Sequence, residues 1–198
     1  MTRTLVLLLA LMAAAGVAQA QSAQGLDRIT GVSKEVAAAA AAQSQAQSLA
    51  EIDRREAAVI EAWQKTPLTA RCAVFVSKHP DGFGQFAERK SNVFKPGEKL
   101  VAYVEPVGYG WRNAGDGAFQ FGFDVDFLIK SRDGKILAGQ ENFAKLAETS
   151  QRRNREFNMT LTMSVDGARP GDYVLEYKLR DIASDKSAVI ELPFTIAE

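Results

Sequence analysis

The sequence predicts a mainly β protein: an antiparallel β-sandwich of seven or eight strands, preceded by one long alanine-rich α-helix. Three observations carry this. A continuous stretch with good helix formers ends at Pro67. After it the apolar residues recur every second position rather than every third or fourth. Turn pairs such as Pro96-Gly97, Asp133-Gly134, Asp166-Gly167 and Pro170-Gly171 separate the alternating runs.

The first twenty residues read as an export signal. Arg3 supplies a positive start, Leu5 to Leu11 ("LVLLLAL") an apolar core, and Ala18-Gln19-Ala20 a small-x-small cleavage site. The run is shorter than the roughly 20 residues that a membrane span needs. The expectation is a chain cut after Ala20 and delivered to the periplasm, or secreted, as a protein with no membrane span.

Residues 21–66 form the predicted helical segment. "SKEVAAAAAAQSQAQSLAEIDRREAAVIEAWQKT" is rich in alanine, the best helix former, with Gln, Glu, Arg and Leu around it. Ser33 suits an N-cap and Glu35 the first turn, so the spacing predicts a helix from about Lys34 to Lys65. Pro67 stops it, because a residue before proline avoids helical angles. Ala38, Ala41, Ala42, Leu49, Ile52, Val59, Ile60 and Trp63 follow one face, interrupted by Gln45 and Glu56. The Leu49–Trp63 half is expected to dock on the following domain. The alanine-rich half is a linker, a partner helix or a route to self-association.

Residues 67–198 carry the sandwich. Strands are expected near Ala70–Ser77, Gln85–Lys90, Glu98–Glu105, Gly117–Ser131, Lys135–Ala138, Arg155–Val165, Asp172–Arg180 and Ser187–Ile196, with a further short one at Asn142–Ala147. Clean alternation, as in Phe157, Met159, Leu161, Met163 and Val165, means one buried and one wet face, the antiparallel pattern. In "GAFQFGFDVDFLIKSRDGK" the residues Phe119, Phe121, Phe123, Val125, Phe127 and Ile129 share a face. Burying each is worth about 1.5–3 kcal/mol, so that face turns inward and Asp124 and Asp126 turn outward. Pro193 places the last strand at a sheet edge, with its missing N–H on the open side.

The stretch "RPGDYVLEYKLRDIASDKSAVIELPFTI", Arg169 to Ile196, resembles the closing strands of bacterial immunoglobulin-like sandwich modules. Those modules carry a Pro-Gly turn, an aromatic-led alternating strand, an Asp-led connection and an apolar last strand. The resemblance implies an immunoglobulin-like sandwich and brings no site residue with it.

Charge excludes some functions. The 24 basic residues less Arg3 leave 23 against 24 acidic ones after signal removal, with no basic excess for nucleic acid or a membrane surface. Cys72 is the single cysteine, so no internal disulfide forms; it reads as a small buried hydrophobe at a strand start. His79 in "HPDG" offers a base with nothing to pair it to Cys72. "HPDGFGQF" lacks the following helix that a phosphate loop needs. Arg152, Arg153 and Arg155 gather in "QRRNR", which reads as a solvated turn.

The loop "EPVGYGWRNAGDG", Glu105 to Gly117, holds the candidate ligand-binding residues Tyr109, Trp111 and Arg112. Flat rings with polar handles suit sugars or peptides; the competing reading folds Trp111 back over the open end of the core. The expected role is a non-enzymatic interaction module of the envelope, binding a protein or glycan without metal or cofactor. The alternatives are a small-ligand or carbohydrate binder using Tyr109, Trp111 and Arg112, and a hydrolase using carboxylates such as Glu88, Glu105 and Asp116.

Overall fold

The computed structural model describes residues 22–198, with side chains from Ser33 onward. The expected signal and its cleavage point lie outside the described residues. The chain divides into two compact units at Arg54/Arg55. One helix is followed by nine strands among the described residues: α1 (Ser22–Lys65), β1 (Thr69–Phe75), β2 (Val93–Phe94), β3 (Leu100–Val107), β4 (Arg112–Gly115), β5 (Ala118–Ser131), β6 (Ile136–Ser150), β7 (Met159–Met163), β8 (Gly171–Asp181) and β9 (Ser187–Ile196).

The helix ends where Pro67 predicts, but it starts earlier, and Ser33 lies inside it rather than capping it. Within the second unit the helix end docks through Trp63, which is buried, and Ile60, which is half-buried, while Val59 stays exposed and departs from the expected docking face.

The strands form two sheets. The smaller has the order β1-β3-β7 and is antiparallel throughout. The larger has the order β2-β9-β8-β5-β4, with β6 also on β5. It is antiparallel except for the short parallel contact of β2 with β9. On β5, residues 119–130 pair with β6, while residues 118–120 pair with β4 and residues 123–131 with β8. β4 and β8 therefore share one edge of β5 end to end, and β6 has the other.

One core cluster joins the inward faces of both sheets. Phe75, Leu100, Ala102, Val104, Met159, Leu161 and Met163 come from the small sheet. Phe121, Phe123, Val125, Leu175, Tyr177, Leu179, Ile190, Leu192, Phe194 and Ile196 come from the large one. This is a β-sandwich, and its inward residues are the ones the two-residue period selects. In the Gly117–Lys135 stretch Phe121, Phe123 and Val125 are fully buried, and Phe127 and Ile129 pack at the margin. Phe119 differs: it lies outside the cluster, under the Arg153 guanidinium at 4.9 Å.

Three strand expectations change. Gln85–Lys90 is not a strand but a segment doubling back on β1 through single bonds, Ser77 N–H to Ala87 O at 2.9 Å and Arg89 N–H to Phe75 O at 2.8 Å. Lys135–Ala138 and Asn142–Ala147 merge into β6, because a bulge keeps the pairing continuous: Val125 faces Ala144 and Phe127 faces Gln140. Asn142 sits in that bulge at φ 51°, a conformation asparagine tolerates better than most residues. Of Arg155–Val165 only Met159–Met163 pairs as a strand. The expected edge position of the last strand changes: β2 pairs beyond β9 at Thr195 and Ile196, so β9 is not the outermost strand. The Thr195 N–H points to Asn92 O, away from β8, and Pro193, two residues earlier, turns its nitrogen to that same side, where it has no ladder bond to give.

Tyr177 is the one buried side chain whose polar atom has no partner among the described residues. Its hydroxyl sits inside the sandwich, and burial pushes its pKa above the usual tyrosine range. A lone buried hydroxyl costs about 1–3 kcal/mol. The Tyr177→Phe chain is therefore expected to unfold at a denaturant concentration higher than the parent, by about 1 kcal/mol of stability; a loss of stability would mean that the hydroxyl is partnered in solution.

Candidate functional site

The Glu105–Gly117 segment is not a hairpin loop. β3 continues to Val107, the chain leaves the small sheet, and β4 begins in the large sheet at Arg112. Gly108–Trp111 is the corner where it crosses. Gly108 has φ 85°, and a Cβ there would lie 2.5 Å from Pro67 O, so only glycine fits. Asp116-Gly117 then makes the tight turn into β5, with Asp116 at φ 48°.

The corner directs the candidate residues differently. Tyr109 is completely buried. Its ring lies edge-on to Trp63 (5.1 Å between centroids) and stacks on Phe121 (5.6 Å). Its hydroxyl donates to Asn154 O at 3.0 Å, and burial raises its pKa. Trp111 is half-buried against the core, and its indole N–H donates to the same Asn154 carbonyl at 2.9 Å. Arg112 remains exposed, bonding Gln120 Oε1 and Ile182 O. The structure brings Tyr109 and Trp111 together as packing, and leaves Arg112 alone of the three fully at the surface. A ring with no exposed face presents nothing to a sugar.

Trp63, expected to dock, and Lys186, which the sequence reading missed, complete the corner. Trp63 donates its indole N–H to Tyr109 O at 2.9 Å. Lys186, in the β8–β9 turn, places its ammonium on three carbonyls: Gln64 O and Thr66 O at 2.8 Å, and Gly108 O at 2.7 Å. These carbonyls belong to the helix end and to the corner, so one cation ties them, as favoured by the negative end of a helix. Asp181 is buried beside them, accepting from Gly110 N–H (2.7 Å) and Ala183 N–H (2.9 Å). The signal available in the sequence was Asp181 to Lys186 itself, a turn with more charge than a simple β-turn requires.

On the outer side of the small sheet a second cluster forms. Cys72 faces Glu105 across β1 and β3, and Val74 faces Tyr103. The Tyr103 hydroxyl donates to Glu105 Oε1 at 2.6 Å and accepts from Gly84 N–H at 2.7 Å, while Phe86 stacks on its ring at 4.2 Å. Residues of "HPDGFGQF" thus cover this face. Burial, then the Glu105 bond, pushes Tyr103 up to about 12, so it stays a donor across the physiological range. Cys72 is half-buried and outside the core cluster, correcting its expected core position. Burial first, then Glu105 and Glu88, raise its thiol above the ordinary value, which keeps it protonated at neutral pH. His79 is exposed, with Nδ1 on Pro80 O at 3.0 Å.

Of the candidate carboxylates Glu88 and Glu105 both lie near Cys72, Glu88 exposed beyond the end of β1, and Asp116 lies apart from them. Glu105 lies buried in the small sheet, and Asp116 is exposed in a turn of the large one. Asp126 pairs with Arg180 and accepts the Asn142 N–H at 2.7 Å, so it holds the bulge of β6. Asp124 faces Lys145 across β5 and β6. Two shallow hollows of about 440 and 420 Å³ lie on the outer side of the large sheet. One runs from Leu128 and Ile136 over Gly139, the other from Arg112 to Lys145. The chain matches no protein-family model and no curated protein.

Removing the half-buried ring of Trp111 opens a cavity against the core and takes one of two donors from the Asn154 carbonyl, which keeps the Tyr109 hydroxyl. Trp111→Ala is expected to destabilise the protein by about 2–3 kcal/mol, and Arg112→Ala by less than about 0.5 kcal/mol, as read by urea unfolding. Equal small effects would return Trp111 to the status of a surface ligand-binding residue.

Proposed function

We propose that the chain is an exported, non-enzymatic interaction module of the bacterial envelope, and that its partner is a protein which adds a strand to the open edge of β6. The observation that carries this is the edge itself. β6 spans 15 residues, Ile136–Ser150, and pairs only with β5 among the described residues. Its outer amides and carbonyls are a template for another strand.

The other edges offer less. β9 presents Pro193 and is met by β2. β1 is met at its end by residues 87–89. β4 and β7 have four and five residues. Along β6, Ile136 and Leu137 expose large apolar side chains, which give an incoming strand something to cover. Glu141, Lys145 and Glu148 and the bulge at Asn142 interrupt the edge and discourage indiscriminate pairing. A protein partner is favoured over a glycan because the rings of the crossing corner are turned inward, with Tyr109 fully covered.

A photo-crosslinking residue at Glu148 in the living envelope should capture the partner. Hydrogen exchange on the purified complex should then show the added protection concentrated at amides 136–150. Protection elsewhere, with the β6 amides exchanging as in the free chain, would contradict strand addition.

A further inference from the structure

From a different element, we infer that the protein forms an antiparallel homodimer through α1, with the helices crossing about a two-fold axis between Ala50 and Glu51. The residues Ala42, Gln45, Leu49, Ile52, Glu56 and Val59 follow alternating steps of three and four, the spacing of a coiled-coil seam. All six are exposed, and Leu49, Ile52 and Val59 count among the exposed large apolar residues within the described part of the chain. Gln45 and Glu56 interrupt this stripe when it is read as a docking face for the helix's own domain. They become complementary when a second copy is laid against it in the opposite direction.

In that register Leu49 meets Ile52 of the second copy, Gln45 meets Glu56, and Ala42 meets Val59. The Gln45 amide donates to the Glu56 carboxylate, so both polar seam residues find a partner twice over, once on each side of the axis. The small alanine receives the larger valine, which evens the width of the seam. A parallel pair does the opposite. It sets Glu56 against Glu56 in the seam, two like charges held together out of water, and Gln45 against Gln45. Shifting the antiparallel register by one heptad leaves Gln45 or Glu56 facing an apolar residue. The polar pair thus selects both the direction and the register, the role that polar seam residues fill in coiled coils.

The test uses the full exported chain with Cys72→Ser. Sedimentation at micromolar concentration is expected to give twice the chain mass, reduced to one chain mass by Leu49→Asp with the sandwich melting point unchanged. Two single-cysteine chains, Gln45→Cys and Glu56→Cys, are then mixed and mildly oxidised. The mixed disulfide between the Q45C and E56C chains is expected to dominate over either self-disulfide. A single-chain mass throughout the concentration range, or self-disulfides in place of the mixed one, would overturn the inference.

Discussion

The rest of the structure depends on one junction: the end of α1 locked into the corner where the chain crosses between sheets. Trp63 reaches that corner with its ring against Tyr109 and its N–H on the Tyr109 carbonyl. Lys186 binds Gln64, Thr66 and Gly108 from the opposite side. Each contact satisfies a backbone acceptor that would otherwise be left at a helix end or in an irregular segment. The corner must also admit Pro67 O against Gly108, where no side chain fits. Apolar area, hydrogen bonding and a glycine-only approach meet within a few residues. A sandwich whose strands switch sheets needs such a point, because the crossing backbone has no ladder to hold it.

From this junction the core follows simply. Tyr109 hands the aromatic contact on to Phe121 and Phe123 of β5, and Phe157 closes on the same rings. β5 is the strand on which β4, β6 and β8 all register. Its outer face carries charge instead. Asp126 with Arg180, and Lys130 with Glu176, pair across β5 and β8. Such partly exposed, solvent-screened pairs orient the outer surface more than they stabilise it.

Much of this was legible in the residues. The period of two identified β3, β5, β8 and β9, because burial of one face outweighs local preference. Pro67 marked the end of the helix, since the residue before a proline loses the helical angles. Three features were not legible. Gln85–Lys90 has strand-like residues but places Phe86 over Tyr103, a long-range choice that alternation does not encode. The Asn142 bulge breaks the period inside one strand and so divides it on paper. Tyr109, Trp111 and Arg112 lie close in sequence, but a corner sends neighbouring side chains into different environments. Gly108 serves the tight crossing, a backbone approach that residue spacing does not announce.

The corner makes a demand that a freely attached helix does not. Thermal unfolding of Trp63→Ala tests it most directly. The account predicts a single transition lowered by about 3–5 kcal/mol, or roughly 10 °C for a domain of this size. A melting point within about 2 °C of the parent would contradict it and make the helix end an appendage to a sandwich that stands alone.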